Sequence, residues 1–458
     1  MKTIYKYKEL AVVLIFSLLG CEDFIEPDMP ATQTSSMQVF EDVATADAAM
    51  QENYIRLRDR VMLTGNANGV GALMALYTDE LQNWKLSSTD AQSFYTNTVF
   101  PQNGTLTQLW NESYSLIYNC NKIIEGLAIS SGVSENHKQR ITGEALFVRT
   151  MVHFYLLQLF GDIPYVTATD YRVNTRIAKT DKDILYRYLL EDGEQAFQLL
   201  KDQPIAANTT VNKFVVAAFM SRLNLYHGNW IGTLEYADYV LLQGSYQLET
   251  ELDKVFLKES KSTIWQLKPQ AEGNNTHEAR YYSFTSVPPP DNSMTSELAG
   301  TFETGDLRRV SWVKMVETGT ENVFYHAYKY RENQNTASSK EYSVVLRLEE
   351  IYYNRIEAYL NSGQYELALT DWNMLRERYG LATFEQVPAN WNEKLLQERR
   401  AEFFCEFGHR FFDLKRTGML NTEMVKTKTG WQNYFGLLPL PQAELLLNPN
   451  LLPQNEGY

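Results

Sequence analysis

Residues Leu395–Gly418 read LLQERRAEFFCEFGHRFFDLKRTG, and the fold turns on how this stretch is packed. Leu396, Phe403 and Phe407 recur at seven and four residues, which predicts one apolar, aromatic helical face. The same stretch carries Arg399, Arg400, Glu402, Glu406, Arg410, Asp413, Lys415 and Arg416 among five phenylalanines. Charges that dense between aromatic rings can be buried only in pairs. The segment therefore reads as an internal ion-pair lattice, with Arg399, Arg400, Glu402, Glu406, Arg410 and Asp413 as its structural members. A catalytic carboxylate, or His409 as a base, is the competing reading.

Upstream, apolar residues recur at helical spacing and come in pairs. Leu348, Ile351, Tyr352, Arg355 and Tyr359 mark one helix, and Ala368, Trp372, Leu375 and Tyr379 mark its partner across Gly363-Gln364-Tyr365. The glycine makes the turn and the alanine lets two helices approach, as in a tetratricopeptide repeat. Gly228-Asn229-Trp230 with Ala237 echoes it. One helix pair cannot bury its own apolar face, so stacking is implied. The predicted fold is mostly α: degenerate tetratricopeptide-like helix pairs over about 44–127, 137–201, 211–243 and 344–380. Two irregular insertions, about 64–104 and 244–343, interrupt them, the second with a little β around Ser262–Leu267.

The N-terminus has Lys2, Lys6 and Lys8, an apolar run Leu10–Leu19, then Gly20-Cys21. The run is too short to stay in a bilayer as a spanning helix, so residues 1–20 read as a signal peptide. Leu18-Leu19-Gly20-Cys21 resembles the bacterial lipobox, in which the cysteine is acylated and becomes the mature N-terminus. Residues 21–40 then read as a lipidated tether and 41–458 as one domain. The net charge is −14, and −16 once Lys2, Lys6, Lys8 and Glu9 are removed with the leader. An acidic surface of this kind argues against nucleic acid. Three cysteines, at 21, 120 and 405, make no disulfide framework and no metal spacing.

Catalytic motifs are not evident. His277-Glu278 opens like a zincin helix, but Tyr281 stands where the second histidine belongs. Gly65–Gly71, GNANGVG, is neither a P-loop nor a dinucleotide fingerprint, and no G-x-S-x-G elbow occurs. No cofactor is expected.

Several segments together carry a family resemblance. RRAEFFCEFGHRFFDLKRTG, GEALFVRTMVHFYLLQLFGDIPYV, FETGDLRR and the C-terminal LLPLPQAELLLNPNLLPQNEGY resemble elements of SusD-like (RagB-type) outer-membrane lipoproteins of Bacteroidetes. With the lipobox, the likeness runs from Cys21 to Tyr458. It implies a nutrient-binding lipoprotein anchored through Cys21 to the outer membrane and facing the exterior. It also implies a SusC-like TonB-dependent transporter as partner and an oligosaccharide or polysaccharide as ligand, held by segments outside the repeats.

A sugar site needs aromatic rings against the C–H faces of pyranoses and planar polar groups for paired hydroxyls. The first insertion offers Asp79, Asn83, Trp84 and Tyr95; the second offers Tyr281, Tyr282, Asn292 and Trp312. These eight are the candidate ligand-binding residues. Two other readings stand beside glycan capture: a repeat scaffold that only packs against a protein partner, and a glycoside-processing enzyme.

Overall fold

The computed structural model describes residues 38–317, 319 and 323–458; the leader, Cys21 and the tether up to 37 lie outside them. Helix α1 (Val43–Asp59) starts where the Asp42 carboxylate accepts the N–H groups of Ala44 and Thr45. Its buried face is Ala46, Met50, Tyr54 and Leu57. Next come α2 (Val70–Tyr77), the short strand β1 (Leu81–Asn83) and α3 (Thr89–Tyr95). The insertion expected to be irregular over about 64–104 thus holds two helices and a strand. All eight residues of α2, VGALMALY, are buried, and a helix enclosed on every side has no polar face from which a period could be read.

Helices α4 (Gly104–Ile129) and α5 (Glu135–Phe160) follow, then α6 (Lys182–Leu200), capped by Asp181, and α7 (Lys213–His227) with α8 (Trp230–Gln243). From Gly143 to Phe160 every residue of α5 is buried, so this helix is the spine of the scaffold. At Gly143 a β-carbon would meet Leu200 Cγ at 2.7 Å, so the missing side chain sets how closely α5 and α6 approach. Each helix from α4 to α8 packs on the next, and α1 lies on both α4 and α5.

The second insertion contributes β2 (Thr263–Leu267), α9 (His277–Tyr282), β3 (Asn292–Met294), α10 (Leu307–Trp312), β4 (Val313–Glu317), β5 (Val323–Ala327) and β6 (Ser343–Arg347). Strand β2 pairs antiparallel with β6, and all ten of their residues are buried. A second sheet has the order β1-β3-β5-β4. In it Leu81 faces Met294 and Asn83 faces Asn292. Strands more than 200 residues apart thus stitch the two insertions together.

The chain returns to helices with α11 (Leu348–Asn361) and α12 (Tyr365–Arg378), turning at Gly363 with φ 72°, where a left-handed backbone favours glycine. Helix α11 packs on α8 and extends the stack. The stretch Leu395–Gly418 is not one helix, as its spacing predicted, but α13 (Trp391–Phe403) and α14 (His409–Arg416). Between them Cys405, Phe407 and Gly408 have φ of 58°, 37° and 77°. Left-handed non-glycine residues are strained, and here the surrounding ion pairs hold them. Cys120 and Cys405 are free, buried thiols. Among the described residues, no helix is long and apolar enough to cross a membrane.

Candidate functional site

The α13–α14 turn is where the charges converge. Glu402 is fully buried between Arg347 and Arg308, with Arg308 Nη1 at 3.3 Å. Glu406 receives Lys329 at 2.5 Å and Arg347 at 2.9 Å. Asp413 accepts from Arg399 at 2.7 Å and from Arg416 at 2.8 Å. Burial pushes the Glu402 carboxyl up, but Arg347 and Arg308 outweigh it and hold it down at about 2. Asp413 is likewise buried, and Arg399 and Arg416 hold it below the usual carboxylate range.

His409 is not placed to act as a base. It is buried and stacked on Phe403 at 4.6 Å, and burial with the nearby Arg222 charge drives it far below the ordinary histidine range.

This lattice reaches the first insertion through Asp79. Its carboxylate sits 3.0 Å from Arg400 and 2.9 Å from Arg410, and its carbonyl accepts from Arg400 and from Thr295 Oγ1. Asp79 is 6% exposed, so both of its oxygens are committed inside the fold. It anchors the root of β1, and hence the Trp84 loop, instead of meeting a ligand.

Four more of the candidate residues are corrected in the same way. Asn83 is buried and donates to Gln92 Oε1 at 2.7 Å. Asn292 donates to the Tyr281 carbonyl at 3.0 Å, and Tyr282 donates to the Cys405 carbonyl at 3.2 Å. Trp312 is 1% exposed, with Nε1 donating to the Leu252 carbonyl and its ring against Phe256. These groups have spent their hydrogen bonds on the chain.

Three candidates remain half-buried: Trp84, Tyr95 and Tyr281. Tyr95 lies beneath Lys428, whose ammonium is 4.4 Å from the ring centre and donates to the Tyr95 and Leu76 carbonyls. Trp84 and Tyr281 belong to one neighbourhood. The Trp84 N–H donates to the Asp291 carbonyl at 2.8 Å, its indole Nε1 donates to Ser293 Oγ at 2.9 Å, and Phe324 meets the ring edge-to-face at 5.2 Å. Lys85 pairs with Asp291 at 2.8 Å beside it. Asn292, next in the chain, holds the Tyr281 carbonyl.

Past Tyr281 the surface becomes a polar shelf that the sequence reading missed. An open cavity of about 730 Å³ is lined by Arg280, Ser283, Asn333, Gln334 and Asn335. Arg280 Nη2 donates to Asn335 Oδ1 at 2.7 Å, and Ser283 Oγ has no partner. Arg280 also borders a second, narrower cavity of about 210 Å³ toward Asn274 and His277. The signal in the sequence is the run Asn333-Gln334-Asn335, three planar amides in a row. The guanidinium and amides of the shelf offer paired donors and acceptors, and Tyr281, next in the chain to Arg280, adds a half-buried ring.

Comparison with known proteins is consistent across sequence and structure. The family described as "Starch-binding associating with outer membrane" matches residues 33–225, and the SusD family matches residues 181–458. SusD-like protein P2 of Formosa agariphila is 26% identical, over 99% of this chain and all of that one. A SusD superfamily protein from Bacteroides vulgatus has the same fold, with a TM-score of 0.79 at 21% identity, covering 91% of this chain and 99% of its own. Surface glycan-binding protein A from Bacteroides fluxus superposes with a TM-score of 0.74 at 19% identity, over 91% and 99% of the two chains.

Proposed function

The chain belongs to the SusD family, and on that premise we propose that it is a cell-surface lipoprotein that captures an oligosaccharide or polysaccharide and passes it to a SusC-like TonB-dependent transporter. The family is one of binding proteins of the outer membrane, not of enzymes, and the lattice carboxylates here are each held by arginine or lysine. The observation that carries the glycan reading is the β1–β3 pairing, which sets the Trp84 loop on β3, whose Asn292 holds the Tyr281 carbonyl one residue from Arg280 of the amide shelf. A sugar ring would lie against Trp84, with its hydroxyls reaching Arg280, Asn333 and Asn335. Cys21 would supply the acyl anchor that holds the domain at the membrane. The test is a glycan array probed with the wild-type domain and with Arg280→Ala. We expect binding to a defined glycan class, lost in the variant. An array with no hits, or hits indifferent to Arg280, would refute it.

A further inference from the structure

A second cleft lies away from the two insertions, where the end of α5, the start of α6, the end of α14 and the chain terminus meet. It encloses about 550 Å³. Three lysines line it. Lys415 Nζ donates to the Gln158 carbonyl and Lys179 Nζ to the Pro453 carbonyl at 2.6 Å, while Lys182 has no side-chain partner. Among the described residues no carboxylate lies within 4.0 Å of any of the three ammonium groups. Elsewhere Lys329 meets Glu406 and Lys85 meets Asp291, while Lys428 donates only to carbonyls but stands alone over Tyr95 and not in a group of three.

The remaining charges of the cleft do not supply the missing partner. Arg416 is taken by Glu357 and Asp413. Asp162 is exposed, and one of its oxygens accepts the Lys182 backbone N–H at 3.0 Å. Glu456 is exposed at the rim near the chain terminus. Tyr186, Tyr226 and Tyr434 add phenol groups, and the Tyr186 oxygen accepts from Gln158 Nε2, which leaves its O–H free to donate. The His227 ring lies behind Tyr186, tilted against it at 5.1 Å between centres. Burial, with repulsion from Lys182, draws the Lys415 ammonium down to about 7. An ammonium enclosed without a counter-ion behaves this way, and an anion entering the cleft would reverse it.

We propose that this cleft is a binding site for a small ligand bearing a carboxylate or sulfate group, as acidic sugars do, with Lys415 and Lys182 as its principal partners. The chain as a whole is strongly acidic, so three lysines lining one cleft with no carboxylate counter-ion are a local inversion of its charge. The site is separate from the Trp84 shelf and does not depend on the function proposed for it.

The experiment is calorimetric titration of the wild-type domain at pH 6 and low salt with sodium glucuronate, sodium sulfate and glucose. We expect saturable binding of one or both anions and none of glucose. Glucuronate binding tighter than sulfate identifies an acidic-sugar site; equal binding identifies a site for the oxyanion alone. Lys415→Met should weaken the interaction at least about tenfold. Lys182→Ala, at an exposed helix start where folding is not at stake, should weaken it several-fold. Raising the pH to 9 should weaken wild-type binding in the same direction. No binding of either anion up to about 20 mM, equal binding of glucose, or affinities unchanged in both variants would overturn the proposal.

Discussion

Asp413→Ala should be among the most destabilising single changes in this chain. Asp413 is 4% exposed and accepts from Arg399, itself 1% exposed, and from Arg416. Arg416 would keep Glu357. Arg399 would keep only Asn354, at 3.3 Å through Nη1, because its Nη2 already has no partner. Removing one member of a buried pair leaves an uncompensated charge and costs about 3–5 kcal/mol. The entropy of unfolding, about 2.1 cal/mol/K per residue, sums to roughly 0.9 kcal/mol/K over residues 38–458. The thermal midpoint should therefore fall by about 3–6 °C. Differential scanning calorimetry measures it, with Arg399→Met combined with Asp413→Ala as the control. Removing both partners leaves no stranded charge and should recover much of the loss. A midpoint shift below about 1 °C for the single variant, or no recovery in the double, would refute the reasoning.

Acid should act on the same lattice. Glu402 has a folded pKa of about 2, below its unfolded value. Its contribution is thus present above about pH 4.5 and lost as pH falls toward 2; stability from urea melts should fall steeply with pH across that range for wild type and less steeply for Glu402→Gln. Arg280→Ala, at an exposed position on the shelf, should weaken glycan binding about tenfold while the midpoint stays within about 1 °C. Cys21→Ala should abolish labelling by a radioactive or clickable fatty acid and release the folded domain from the membrane fraction.

Helix pairs with amphipathic faces, such as α11 with α12 across Gly363, are visible in the sequence because their polar sides alternate with the core at 3.6 residues. Helix α5 is legible from Ala145, Val148, Val152, Tyr155 and Leu159 at helical spacing, whereas α2 shows only an apolar run, since burial on all sides leaves no polar residue to mark a period. The split between α13 and α14 was hidden for a different reason. Cys405 and Phe407 adopt left-handed backbone that their identities do not favour, in a turn whose Glu406 is held by Lys329 and Arg347 from distant parts of the chain. For the site, the segments were legible and the side chains were not. Both insertions do meet, but a pairing of β1 with β3 across more than 200 residues has no local signature. Without it, nothing in the sequence separates Trp84, half-buried at an edge, from Trp312, sealed against Phe256. Asp79 looked like a ligand group because its partners, Arg400 and Arg410, lie more than 300 residues away.

Trp84 is the residue on which glycan capture at the shelf is tested most directly. Isothermal titration of Trp84→Ala with a glycan that binds the wild type, together with its thermal unfolding, separates a ligand platform from packing. Trp312→Ala serves as the core reference, with an expected loss of about 3–5 kcal/mol of stability. We predict that Trp84→Ala loses at least about tenfold in glycan affinity, while its midpoint falls much less than that of Trp312→Ala. Undiminished affinity, with a midpoint falling as far as the core variant's, would contradict it.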